Sequence, residues 1–120
     1  MGPAGGGVMG MYQHVQSVAD LLTEHGIPAT TEPRDLRTPG VWVTVDRTRP
    51  SRLCGTHETV VSVVLVARDT GHRHALAHLS DLLDKVLGVV VPDGDVVADT
   101  ITLPAGGSPL PAMTFTTTVL

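Results

Sequence analysis

Aromatic residues are almost missing from this chain of 120, with Tyr12, Trp42 and Phe115 the only three. Stacking platforms for bases or sugars are therefore nearly absent. Cys54 is the single cysteine, which excludes an intramolecular disulfide framework and fits a reducing compartment or a protein indifferent to compartment. The longest uninterrupted apolar run, Val63 to Ala67, falls far short of a membrane span. The start carries no cationic segment followed by an apolar one, so no secretory signal is expected. Cations are scarce as well: 8 Lys and Arg stand against 12 Asp and Glu, for a net charge of −4. That balance argues against a dedicated nucleic-acid binder, because counterion release needs a strong basic footprint.

What remains is the material of one small folded domain. Hydrophobic residues make up 42% and charged residues 17%, a mixture that collapses instead of staying disordered. For 12.6 kDa, area scaling gives about 6,200 Å² exposed when folded against about 18,300 Å² extended, enough burial for a real core. Charge is unevenly placed. Five of the eight cations lie between Arg34 and Arg52, whereas from Asp81 onward Lys85 alone faces Asp81, Asp84, Asp93, Asp95 and Asp99. Such polarity suits charge-complementary contact between copies or with partners.

Residues 1–10 are Gly-rich and aperiodic and read as a flexible arm, with a single domain over residues 11–120. From Met11 the spacing predicts a helix, since Val15, Val18, Ala19 and Leu22 fall at i, i+3, i+4 and i+7, with Leu21 widening the stripe. Gly26-Ile27-Pro28 is its stop. Val41 to Asp46 alternates as a strand, with Val41, Val43 and Val45 on one side. Arg47 to Gly55 reads as a basic loop. Thr59 to Ala67 is apolar on both faces, the signature of a central strand covered on both sides by helices or by another subunit. A second helix spans about His72 to Leu87, with Leu76, Leu79, Leu82, Leu83, Val86 and Leu87 as its stripe and Gly88 as its terminator. Val96 to Leu103 and Met113 to Leu120 read as strands around the Gly/Pro loop Pro104 to Pro111. The order predicts an α+β fold, a mixed or antiparallel sheet with two helices packed on one face. The core is expected to contain Val18, Leu22, Val43, Val63, Leu65, Leu79, Leu83, Val86, Ile101 and Phe115.

Chemical motifs are thin. Cys54-x2-His57 and His74-x3-His78 together give a spacing that a tetrahedral zinc site can use, but a usual finger pairs two cysteines before a compact hairpin. Cys54 and His57 lack an orienting third group for nucleophilic catalysis. No Gly-x-Ser-x-Gly elbow is present. Asp93-Gly94-Asp95 resembles a fragment of a calcium loop without its closing Glu, and reads as a turn. Neither Gly5-Gly6-Gly7 nor Gly106-Gly107 has the flanking elements of a phosphate cradle. No catalytic residue, cofactor or metal is therefore expected, and the chain reads as a non-enzyme. The sharpest charged feature is Arg47, Arg49 and Arg52, three guanidiniums within six residues that suit a solvated loop or a grip on a neighbour's carboxylates or on phosphates, the acidic total favouring carboxylates.

The sequence of elements resembles the tail terminator (tail completion) proteins of long-tailed bacteriophages. The resemblance runs from Tyr12 to Leu120. It comprises the first helix through Leu21-Leu22 to Gly26-Ile27, Pro39-Gly40 leading into Val41-Trp42-Val43-Thr44-Val45, and the β-rich Thr59 to Ala67. The helix Ala75 to Leu87 and the ending Leu110-Pro111-Ala112-Met113-Thr114-Phe115-Thr116-Thr117-Thr118-Val119 complete it. Met113 replaces the aromatic usual after Pro-Ala, and the Arg47–Gly55 segment has no counterpart in the family pattern. The resemblance implies a virion protein at the head–tail junction, made in the host cytoplasm. It would form a homo-oligomeric, hexameric ring that caps the tail tube protein and docks to the head–tail connector protein, the genome passing through the ring. No membrane and no sequence-specific nucleic acid is implied as a partner. Two other roles stay open: a head-closure, neck or tail tube protein of the same particle, and a small cytosolic zinc-binding protein using Cys54, His57, His74 and His78.

Overall fold

The computed structural model describes residues 7–50, 57–68, 71–104, 106–107 and 109–119, with residues 7–11, 49–50, 57 and 72 described by their backbone. Helix α1 spans Gly7–Glu24 and leads to the two-residue strand β1 (Ala29–Thr30). A single 3-10 turn, Pro33–Asp35, precedes the long strands β2 (Gly40–Pro50) and β3 (His57–Val66). Helix α2 (His72–Leu87) and strands β4 (Val97–Ile101) and β5 (Leu110–Val119) complete the chain. The sheet has the order β1-β2-β3-β5-β4, with β1 parallel to β2 and all other pairs antiparallel. Both helices cover one face of it, so the fold is α+β with a mixed, mostly antiparallel sheet.

The first helix ends as its sequence predicts, by a Schellman motif. Gly26, at φ 80°, donates its N–H to Thr23 O (3.0 Å), and Ile27 donates to Leu22 O (3.0 Å). Ile27 and Leu22 are both buried in the core, which closes the motif with its usual apolar contact. At the other end α1 begins at Gly7, so residues 7–10, expected in the arm, are helical; residues 1–6 lie outside the described residues. Gly40 opens β2 because the chain doubles back tightly there: a Cβ would collide with the carbonyl oxygen of Arg37.

Beneath the helices lies the main core. Val15, Val18, Ala19 and Leu22 of α1 and Ala75, Leu79, Leu82 and Val86 of α2 meet Val41, Val43, Val61, Val63, Leu65 and Phe115 of the sheet. Two expected core residues fall outside it: Leu83 is half-buried at its edge, and Ile101 is half-buried on the opposite sheet face. Leu21 does not widen the buried stripe, and Leu76 and Leu87 also stay exposed, at 40% and 38%, while their neighbours Ala75 and Val86 are the buried residues. Gly88 ends α2 with right-handed geometry (φ −73°), and Val90 continues down to bury its side chain in the core. A polar link crosses the helix–sheet interface, a 2.7 Å hydrogen bond between His14 Nδ1 and the buried Thr59 hydroxyl.

Three strand limits differ from the sequence reading. β5 begins at Leu110 instead of Met113, because Pro111 lies beyond the last β3–β5 pair, Val66 with Ala112, and its carbonyl still accepts from Ala67 N (3.1 Å). β4 is shorter than predicted, ending at Ile101 opposite Leu110. β2 runs four residues past Asp46, so Arg47 to Pro50 are strand and not loop.

Candidate functional site

The extension of β2 decides which way its arginines face. Up to Val45 the pairing with β3 is regular, and odd-numbered residues lie under the helices. A β-bulge at Asp46 then shifts the register, so that Val45 pairs with Val61 but Arg47 pairs with Val60. The extra residue reverses the alternation. Without it Arg47 would oppose Thr59 beneath the helices; with it Arg47 joins Trp42 and Thr44 on the uncovered face, and Arg49 opposes Glu58. Arg47 Nε also donates to Asp46 Oδ2 at 2.8 Å, an exposed ion pair of adjacent residues. Such a pair contributes about 0–1 kcal/mol and leaves the guanidinium available to another carboxylate. Arg52 lies outside the described residues.

The uncovered face divides along the strands. Near the Gly40–Val66 end, Val64, Val66 and Ala112 are buried under Leu36, with Trp42, Ile101, Leu103 and Leu110 packed around them. Two loops supply this cover, one through Leu36 and one through Leu103. Between them runs a groove of about 470 Å³ lined by Pro33, Arg34, Leu36, Leu103 and Pro104. Within the same cluster the Trp42 indole Nε1 is buried without a hydrogen-bond partner among the described residues. Towards the other end the face is hydroxyl-rich. Thr44, Ser62 and Thr116 form one cross-strand row, and Thr114 lies beside Thr116 on β5. None of these four is fully buried.

The acidic turn after α2 is tied to β5. Asp93 N donates to Thr116 O (2.8 Å), Thr117 Oγ1 donates to Val91 O (2.9 Å), and Thr118 Oγ1 donates to Asp93 Oδ2 (2.5 Å). At the sheet edge Asp99 Oδ1 accepts the N–H of Thr100 (2.8 Å), which occupies an edge donor that a foreign strand would need. Asp93 and Asp99 thus serve local backbone and hydroxyl groups, and among the described residues no three His, Cys, Asp or Glu side chains lie together to hold a metal.

The structure does not bring the histidines together. His74 and His78 are exposed in the first two turns of α2, and His78 lines a pocket with Pro28 and Pro39 at the Gly40–Val66 end. His57 opens β3 at its opposite end, about 30 Å of strand away. Cys54 lies outside the described residues. No protein-family model matches the chain, and neither a curated protein nor a solved structure matches it. The functional reading therefore stands on the geometry. Sequence reasoning found the arginines but missed the groove, because Leu36 and Leu103 meet only through the fold.

Proposed function

We propose that this chain is a structural virion protein, a tail terminator that assembles into a homo-oligomeric ring capping a phage tail tube and docking to the head connector. The observation that carries the reading is the half-covered sheet. β3 is apolar on both sides, yet its helix side is roofed by two helices, while on its other side, among the described residues, loops cover Val64 and Val66 and Val60 is buried opposite Arg47. A sheet of this kind gains cover by association. The bulge places Arg47 on that same uncovered face, where a guanidinium can meet a neighbour's carboxylate bidentately. The order of helices and strands from α1 to β5 is the arrangement on which the resemblance to tail terminators rests. Action of this sort needs shape and adhesion and no cofactor.

Sedimentation velocity and electron microscopy of the purified chain, alone and with a tube protein, test the proposal. The expected species is a closed ring of 12.6-kDa chains, six in number on the family pattern, seated at the end of a tube. A chain that stays single at high concentration and in the presence of tubes overturns it.

A further inference from the structure

Two features on opposite ends of the sheet have no role so far. One is the groove of about 470 Å³ at the Gly40–Val66 end, whose walls Pro33, Leu36, Leu103 and Pro104 are apolar and whose single charge is Arg34. The Glu32 carboxylate is turned back onto the backbone N–H of Arg34 (3.3 Å), and Asp35 lines the neighbouring pocket with Arg37. Among the described residues no acceptor meets the Arg34 guanidinium. The other feature is the turn from Val91 to Val97. Val91 is 77% exposed and Val97 58%, the two most exposed large hydrophobics among the described residues, and Asp95 between them is exposed as well.

We infer that the Arg34 groove receives the Val91–Val97 turn of a second copy of this chain. Each partner supplies what the other lacks: exposed valines for an apolar groove, and a carboxylate for a lone guanidinium. The turn is also rigid before it binds, since three hydrogen bonds fix Val91 and Asp93 to β5, which lowers the ordering cost of association. One chain cannot satisfy its own groove, because Asp93 is tied to Thr116 and Thr118 while Leu36 sits beside Gly40, at the other end of the strands. In the ring proposed above the contact is heterologous and repeats head to tail, closing when the rotation allows. The inference rests on the ring proposed above and names the surfaces that build it.

Charge reversal and charge exchange test it, read by sedimentation velocity with far-UV circular dichroism as the check on folding. Arg34→Glu, Asp95→Arg and Val97→Asp each alter an exposed side chain. Each is expected to weaken self-association about tenfold, and an equimolar mixture of Arg34→Glu and Asp95→Arg chains is expected to form the swapped pair and regain part of the loss. Trp42, the only tryptophan, packs in the cluster with Leu36 and Leu103 beneath the groove and reports occupancy by a change of emission on assembly. A parent that assembles while all three variants assemble equally well, with unchanged emission, overturns the groove contact and leaves the ring standing. A parent that never assembles overturns both.

Discussion

The two faces of β3 carry almost the same side chains and meet different fates. Val61, Val63 and Leu65 lie under α1 and α2 in a core of seventeen buried residues, whereas Val64 and Val66 lie under two loops in a cluster of four. Further along the uncovered side Ser62 sits between Thr44 and Thr116, polar enough to meet water and flat enough to meet another surface. The difference separates two tasks. The larger core lies on the helix side, and the association proposed above would use the side that no helix covers.

The sharpest way to break that division is to cut into each face in turn. Phe115 is buried beneath the helices, so Phe115→Ala is expected to lower unfolding stability by about 3–5 kcal/mol, read as a fall in the urea midpoint with unchanged m. Leu36 caps the smaller cluster from a loop that can settle into the space it leaves, so Leu36→Ala should cost only about 2 kcal/mol. Equal losses at the two sites would mean that the loop-covered face contributes to stability as fully as the helix-covered one.

Much of the helix side is legible in the sequence because its signals are local. The i, i+3, i+4, i+7 spacing of Val15, Val18, Ala19 and Leu22 and the Gly26 stop both operate within a turn or two of helix. The two apolar faces of β3 are likewise visible in its run of Val and Leu. What the sequence hides depends on distant partners. Asp46 becomes a bulge only because β3 offers Val61 and then Val60 across from Val45 and Arg47, and no local pattern in Asp46-Arg47-Thr48 announces that. Arg47, Arg49 and Arg52 are visible as a charged group, but the face that Arg47 takes is decided by that one extra residue. Pro111 reads as a loop until β3 is known to end short of it. The groove joins residues 36 and 103, which nothing but the finished fold brings together.

The ends of the helices sharpen the same comparison with smaller effects. Gly26 holds φ 80° and has open space where a Cβ would go, so Gly26→Ala meets only the left-handed penalty and should cost about 1–2 kcal/mol. Gly88 has φ −73° and a prospective Cβ 3.4 Å from Lys85 O; Gly88→Ala is expected to stabilise by about 0.4–1 kcal/mol by restricting the unfolded chain. Both are read from thermal midpoints. A gain at Gly26 or a loss at Gly88 would show that the helix layer is held by something other than the backbone geometry described.

Smallest in stability and most telling for function is the reversal of both strand arginines. Arg47 is exposed, and its ion pair with Asp46 joins adjacent residues. Arg47→Glu with Arg49→Glu should therefore change the unfolding free energy by no more than about 0.5 kcal/mol, the range of surface substitutions. If the uncovered face serves association, the same double variant should lower the oligomer mass in light scattering, and added salt should restore part of it, since salt screens the repulsion of like charges that then meet across the contact. An unchanged mass removes the arginines from the interface. A large loss of stability would place Arg47 among the groups that hold the sheet together, and the separation of tasks between the two faces would fail at the bulge that defines it.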